Sequence, residues 1–172
     1  MVMAGRVPFI LKQHPDMTPD EMDYLETLIK AGSRVWEWGT GGSTLWFIRK
    51  GCRVTSVEHM DLCYQVLSLG LSRVQLTGLF EMKYCPADRG YREGTTDDGT
   101  REHFAGYVDS YDGRYQDLFL VDGRARLACL ERLKLAPPTA TILLHDADRY
   151  DYSAIAEKVG GVEQLHQLRL KR

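Results

Sequence analysis

A buried strand, a glycine turn and the start of a helix follow one another in residues 34–44, which read RVWEWGTGGST. The apolar run up to Trp38 predicts the strand, and the glycines of residues 39–42 predict a tight turn before a helix over 43–50. Glycine lets the backbone approach a ligand closely, and a helix N-terminus offers unpaired N–H groups to a carboxylate or a phosphate. The segment therefore predicts a ligand site at this first strand-to-helix turn.

The second predicted strand, residues 53–57, ends at an acid, Glu58. A carboxylate about twenty residues beyond the glycine turn can accept hydrogen bonds from both hydroxyls of a ribose, as in nucleotide-binding sheets. The strand, turn, helix and acid together predict a ribose-containing cofactor. The alternative interpretation is a tight turn with a solvent-exposed Glu58.

The turn itself indicates the kind of cofactor. A dinucleotide fingerprint reads Gly-x-Gly-x-x-Gly, and here Gly39 and Gly41 fit the first two places but Thr44 stands at the third. Glu37 would repel a pyrophosphate and suits a cationic ligand, such as an amino group or a sulfonium. Two alternative functions stay open: an NAD(P)-dependent oxidoreductase, and a non-catalytic nucleotide-binding or partner-binding module.

From about residue 34 to residue 148 the sequence resembles the class I S-adenosylmethionine-dependent methyltransferases. Glu37-x-Gly39-x-Gly41 is similar to their first motif, and Glu58 to their ribose-binding acid. The resemblance implies an enzyme that uses S-adenosylmethionine, with its methionine end at the glycine turn. The cofactor-binding residues that it implies are Glu37, Gly39, Thr40, Gly41, Ser43, Thr44, Glu58, His59, Asp88 and Asp122.

A further acid, Asp122, follows the strong apolar strand predicted over residues 117–121. Ligands of doubly wound sheets bind beyond the carboxyl ends of the strands, near the point where the strand order reverses. Asp122 is therefore expected at the site. Capping of the next helix is the alternative role for this side chain, and the two roles are compatible.

Three ionisable residues follow the strand predicted over residues 140–144: His145, Asp146 and Asp148. Such a group at a strand end points to function, and with Asp122 it supplies the candidate catalytic residues. A solvated loop with an Asp–Arg pair is the alternative. The spacing from Asp122 to Asp146 resembles cation-dependent O-methyltransferases, which implies a divalent metal such as magnesium, although those enzymes carry adjacent Asp-Asn at the second place.

The acceptor is expected to be a small or sugar-like molecule that is methylated at oxygen. This expectation follows from the family resemblance and from the absence of the Asn/Asp-Pro-Pro-aromatic motif that amino-methylating branches carry. The arginines of residues 124–126 could meet an anionic substrate, but the surface of a helix is the expected place for them. Trp36 and Trp38 are expected in the core.

Strands that alternate with helices predict an α/β fold with a doubly wound, mostly parallel sheet. Helices are expected over residues 61–69 and 124–135, and a weaker strand over 82–85. After the fifth strand the pattern predicts a helix over 152–159 and one edge strand over 165–170, so the sheet is expected to be shortened at its C-terminal edge. A trimmed edge, completion by a second subunit in a homodimer, and a degenerate enzyme stay open.

The whole chain, residues 1–172, is expected to form one domain. Residues 1–33 are interpreted as an N-terminal arm and a helix that begins at a Thr18 capping box. Residues 86–106 form an insertion with four glycines. Segments of this length inside a compact domain are typical of a lid over a substrate or of a plain surface loop.

Composition narrows the functional classes. The formal net charge is −2 without a run of basic residues, which argues against a nucleic-acid partner. No apolar stretch is long enough to span a membrane. The four cysteines are scattered, which argues against a zinc site, and with no signal-peptide pattern they favour the reducing cytoplasm.

Overall fold

The computed structural model describes residues 14–72, 79–88, 90–91 and 98–171. Helices and strands alternate through most of this range, as the sequence predicts. The helices are α1 (Pro19–Thr27), α2 (Gly42–Arg49), α3 (Asp61–Ser72), α4 (Ala105–Asp109) and α5 (Arg126–Arg132). The strands are β1 (Arg34–Trp38), β2 (Arg53–Glu58), β3 (Phe80–Tyr84), β4 (Leu118–Val121), β5 (Thr141–Leu144), β6 (Ala156–Val162) and β7 (Leu165–Leu170).

In the described part of the chain these seven strands form one sheet in the order β3-β2-β1-β4-β5-β7-β6. The first five strands of this order are parallel, and β7 runs antiparallel to both β5 and β6. The chain order reverses between β1 and β4, so the crevice beyond the carboxyl ends of these two strands is where a ligand is expected. The α/β, doubly wound fold class is confirmed.

Alternate side chains of the strands pack on opposite faces of the sheet, because successive residues of a strand point to opposite sides. Trp36, Trp38 and Phe119 lie in one core cluster with α4 and α5. Val35 and Leu120 lie in the other, with α1, α2 and α3. Both tryptophans are fully buried, which confirms their expected place in the core.

In the C-terminal region the predicted strand over residues 165–170 is present as β7, but the predicted helix before it is wrong. Residues 152–159 do not form a helix, because the chain from Ala156 pairs with β7, which in turn hydrogen-bonds to β5. Gly160 and Gly161, which the pattern places at a helix end, lie inside β6 next to an irregularity in its register. Glycine within a strand often marks such a bulge. The sheet is therefore not shortened, and its C-terminal edge is a hairpin.

The insertion is held at both ends. The Asp88 backbone N–H donates to the carbonyl of His103 at 2.7 Å, and the carboxylate of Asp98 accepts from the backbone N–H of Arg126 at 2.8 Å. Helix α4 begins at Ala105, within the last residues of the insertion, and was not predicted. The rest of the predicted lid, residue 89 and residues 92–97, lies outside the described residues, as do residues 1–13 of the arm.

Helix α1 begins at the predicted capping box, with reciprocal hydrogen bonds between Thr18 and Glu21.

No helix within the described ranges is long and apolar enough to cross a membrane.

Candidate functional site

An open cavity of about 300 Å³ lies beyond the carboxyl ends of β1, β2, β4 and β5. This volume is at the lower end of the range of about 300–1,000 Å³ that is usual for ligand pockets. Most of the residues predicted for the site line it. They are Gly39, Thr40, Gly41, Ser43, Glu58, His59, Asp122, His145 and Asp146.

The glycine turn is shaped by backbone contacts. Gly39 has a φ of +101°, and a Cβ there would come within 2.8 Å of the carbonyl oxygen of Asp122 and the backbone of Gly123. A side chain at Gly42 would overlap the backbone of His14, so the end of the N-terminal arm lies over the start of α2. The turn therefore needs glycine because two other segments pack directly against it.

Glu37 lies behind the cavity wall and is fully buried. Its carboxylate accepts hydrogen bonds from the hydroxyls of Ser43, Thr44 and Ser56. Burial raises the pKa of Glu37 to about 7, although the three hydroxyl groups pull it down. Thr44 is buried with it, whereas Ser43 also lines the cavity. Any effect of Glu37 on a ligand is therefore transmitted by Ser43 and by the electric field of the carboxylate.

Glu58 is oriented by backbone groups at the end of β2. One carboxylate oxygen accepts from the N–H groups of His59 and Met60 at 2.8 and 2.7 Å, and the other accepts from Thr40 at 3.2 Å. An ionised carboxylate has about four lone-pair sites. The carboxylate lines the cavity, so it retains capacity for a further hydrogen-bond donor there.

His59 and Asp88 differ in their placement. The ring of His59 is buried, edge-on to Phe104 with 5.4 Å between the ring centroids, and the residue lines the cavity. Asp88 is exposed and accepts a hydrogen bond from the backbone N–H of Ala105 at the start of α4. The structure brings His59 to the cavity and places Asp88 outside its lining.

At the ends of β4 and β5, the ring of His145 lies between two carboxylates. Its Nδ1 is 2.8 Å from Oδ1 of Asp122, and its Nε2 is 3.6 Å from Oε2 of Glu21. Burial lowers the pKa of His145. The negative charges of Asp122, then of Asp146 and Glu21, raise it by more than burial lowers it, so the net pKa is above its usual value. Glu21 is also nearly fully buried, and sequence reasoning assigned it only a helix-capping role.

Asp146 and Asp148 point in different directions. Asp146 accepts hydrogen bonds from Arg126 and Arg149, each at 3.0 Å. Burial raises its pKa, but the two arginines and His145 lower it more, so the net pKa is below its usual value. The Asp148 side chain is 66% exposed, lies 3.3 Å from Nε2 of His166, and is outside the lining of the cavity.

Arg126 is the principal residue that sequence reasoning missed. It was expected on the surface of a helix, and that expectation is wrong, because only 6% of the residue is exposed. The acids around it, Asp98, Asp122 and Asp146, are far apart in the sequence. Arg126 shares the buried face of α5 with Cys129 and Leu130, three and four residues later. An arginine on such a face is buried only where acids compensate its charge, and Asp98 and Asp146 are brought to it by the tertiary fold.

Solved structures resemble this arrangement of strands and helices. A methyltransferase-like protein from Silicibacter pomeroyi DSS-3 superposes with a TM-score of 0.66 at 20% sequence identity, over 93% of this chain and 90% of that one. The chain shares the fold of that methyltransferase-like protein. At this level of identity the likeness concerns the fold alone.

Two larger proteins share the methyltransferase fold over part of their length. MtNAS, in complex with MTA and tNA, aligns with a TM-score of 0.58 at 13% identity, over 90% of this chain and 61% of its own. A SAM-dependent methyltransferase from Thiobacillus denitrificans, in complex with S-adenosyl-L-homocysteine, aligns with a TM-score of 0.50 at 15% identity. There the match covers 76% of this chain, which spans about half (49%) of that protein. No protein-family model matches the sequence, and neither does any curated protein.

The metal implied by the resemblance to cation-dependent enzymes can be tested against the residues present. Asp122, His145 and Asp146 offer ligand atoms within 4.8 Å of one another. However, the guanidinium of Arg126 already lies 3.0 Å from Oδ2 of Asp146 and 3.5 Å from Oδ1 of Asp122. Two like unit charges about 4 Å apart repel by about 4 kcal/mol at an effective dielectric constant of about 20. The residues therefore do not fit a divalent cation.

Proposed function

We propose that this protein binds S-adenosylmethionine and transfers its methyl group to an oxygen of a small-molecule acceptor. The observation that carries the proposal is the cavity at the β1–β4 switch point, where the Gly39 turn and the Glu58 carboxylate face the same space. The methyltransferase fold supports it. An alternative NAD(P) cofactor lacks support, because a buried Glu37 behind the turn disfavours a pyrophosphate there.

The cofactor is proposed to lie along the lining from Glu58 to the start of α2. The remaining lone pair of Glu58 would accept a ribose hydroxyl, with His59 and Met60 beside the adenine. The carboxylate of the methionine moiety would meet the N-terminus of α2, where backbone N–H groups are available. Glu37 would act as a positioning residue, because it holds Ser43 and adds negative potential beneath a cationic ligand.

The acceptor is proposed to enter through a second cavity of about 280 Å³, which shares Asp16, His145 and Asp146 with the first. Glu21 and Glu163 also line it, and no Lys or Arg does so among the described residues. A negative potential of this kind disfavours anionic acceptors. The acceptor class it favours is a neutral or cationic hydroxylated molecule, and not the anionic substrate considered for the arginines of residues 124–126.

The chemistry proposed is an in-line displacement in which the acceptor oxygen attacks the methyl carbon and the carbon–sulfur bond breaks. Most of the rate enhancement would come from positioning of the two reactants. The hydroxyl proton of the acceptor would pass to the Asp122–His145 pair, of which His145 lines both cavities. The pair can accept this proton only when the imidazole is neutral, so activity should increase with pH through the raised pKa of His145.

Calorimetric titration of the wild-type protein with S-adenosylhomocysteine and with NAD⁺ tests the cofactor. Binding of the first alone is expected, and binding of NAD⁺ alone would overturn the proposal. Transfer of label from methyl-tritiated S-adenosylmethionine to a panel of catechols, sugars, amino alcohols and hydroxy acids tests the acceptor. Label should enter the catechols, sugars or amino alcohols, which are neutral or cationic. Labelling of the anionic hydroxy acids alone would contradict the proposed acceptor class.

A further inference from the structure

The guanidinium of Arg126 has an acceptor for each of its five N–H groups. Nε donates to the carbonyl of Gly123 at 3.0 Å, and Nη1 donates to the carbonyl of His145 at 2.6 Å and to Asp146 at 3.0 Å. Nη2 faces the Asp122 carbonyl at 3.4 Å and its carboxylate at 3.5 Å. The group is thus enclosed by the loops that follow β4 and β5.

Residues of the insertion and of the loop after β5 also fix the side chain of Arg126. The carboxylate of Asp98 lies 3.8 Å from Nε of Arg126 and accepts from its backbone N–H at 2.8 Å. Tyr150 donates its hydroxyl to the same carboxylate at 3.0 Å, and its ring lies 5.5 Å from the guanidinium carbon. Although Arg126 also lines the first cavity, it cannot turn away from the acids without breaking several hydrogen bonds together.

We infer that Arg126 is a built-in cation that takes the place of a divalent metal between Asp122 and Asp146, and that the protein binds its ligands without one. The guanidinium neutralises the acids and links the loops that follow β4 and β5 to the end of the insertion at Asp98. Arg126 is accordingly a positioning residue. It orients the Asp122 carboxylate, which the proposed function assigns to proton transfer.

Carboxylate oxygens are ligands that Mn²⁺ and Mg²⁺ prefer, so removal of the guanidinium should expose a metal site. The test is a Mn²⁺ titration followed by electron paramagnetic resonance, without cofactor or acceptor. Wild type should leave the spectrum of free Mn²⁺ unchanged. Arg126→Gln, which removes the charge, should bind Mn²⁺ at least about tenfold more tightly than wild type, since each 1.4 kcal/mol of lost repulsion is a factor of ten.

Two matched variants separate the charge from other effects. Arg126→Lys keeps a positive charge in the cluster and should still exclude Mn²⁺. Arg149→Gln removes the more exposed arginine beside Asp146, whose charge solvent screens, and leaves Arg126 in place, so it should gain much less Mn²⁺ affinity than Arg126→Gln. A folded Arg126→Gln protein that gains no Mn²⁺ affinity would overturn the inference, and so would Mn²⁺ binding by wild type at micromolar concentrations.

The wild-type protein alone decides the question if the Arg126 variants fail to fold. Its thermal midpoint, and its calorimetric affinity for S-adenosylhomocysteine, should be the same in EDTA and in excess MgCl₂. A midpoint or an affinity that rises with Mg²⁺ would contradict the inference. The thermal and Mn²⁺ measurements need no cofactor, so their result stands apart from the proposed methyl transfer.

Discussion

The two sides of the cavity hold their carboxylates in different ways. On the glycine-turn side, which comprises Glu37, Gly39, Ser43 and Glu58, hydroxyls and backbone N–H groups contact the acids, and the ring of His59 lies 3.1 Å from Glu58. On the acid–arginine side, which comprises Asp122, Arg126, His145 and Asp146, a guanidinium and an imidazole contact them. The first side therefore keeps negative charge available for a ligand, whereas the second is compensated from within the protein.

This difference assigns the two sides to different tasks in the proposed reaction. A sulfonium cofactor gains from the Glu58 carboxylate of the glycine-turn side, and from Glu37 in the fraction of molecules in which it is ionised, since its pKa is about 7. The acid–arginine side has fixed charges and a histidine that can take up a proton, which suits a rigid acceptor site. Changes on the second side should therefore affect turnover, and changes on the first should affect the affinity for the cofactor.

The largest expected effect is on turnover in Asp122→Asn. The amide keeps the shape of the side chain but removes the negative charge that orients His145 and accepts its hydrogen bond. Turnover should fall by about 10²-fold or more, the usual scale for loss of a general base, while affinity for S-adenosylhomocysteine stays within a few-fold. Asp151→Asn, in the exposed loop beyond Asp148, is the control and should retain full activity. Equal activity of Asp122→Asn and Asp151→Asn would show that a group other than the Asp122–His145 pair accepts the proton.

Gly39→Ala tests the place where the two sides meet. The added Cβ would press on the backbone of Asp122 and Gly123, and the positive φ would be strained as well. We expect a loss of about 2–3 kcal/mol in the free energy of unfolding, measured in urea. Gly70→Ala is the matched control, because a Cβ there meets nothing within 4 Å inside α3. It should be neutral or stabilising by up to about 1 kcal/mol, and an equal loss in both variants would contradict the close contact.

Glu37→Gln tests the charge buried on the glycine-turn side. The folded-state pKa of Glu37 is raised to about 7 from 4.5, so the folded protein holds this proton more tightly than the unfolded chain does. Its contribution to stability is present at acid pH and is lost as the pH rises towards and through 7. Between pH 5 and pH 8 the wild type should lose about 2 kcal/mol relative to the variant. If the free energies of unfolding of wild type and Glu37→Gln changed with pH in parallel, burial would not raise the pKa of Glu37, and the prediction would be contradicted.

Much of the glycine-turn side could be predicted from the sequence, because its parts are local. Residues 34–44 and Glu58 lie on consecutive elements, and the order of strand, turn and helix places them together. The doubly wound sheet followed from the same alternation. The burial of Glu37 among three hydroxyls was not predicted, because Ser56 reaches it from β2.

The acid–arginine side could be predicted only in part. Asp122 and residues 145–146 stand at strand ends, which is a local signal. Asp122 stands four residues before Arg126, which is a local spacing, but Asp98 and Asp146 are distant in the sequence and no pattern near residue 126 indicates them. The misjudged region 152–159 has the same cause, since β6 is stabilised by pairing with β7 and not by the propensity of its own residues.

The division of tasks between the two sides is tested most directly by one calorimetric titration with S-adenosylhomocysteine, run in parallel on two variants. Glu58→Gln changes the proposed ribose acceptor at nearly constant shape, and Asp146→Asn makes the matched change on the acid–arginine side. We expect Glu58→Gln to weaken binding about tenfold or more, as for a lost charge-assisted hydrogen bond, while Asp146→Asn stays within a few-fold of wild type. Unchanged binding in Glu58→Gln, or a larger loss in Asp146→Asn, would contradict this division of tasks.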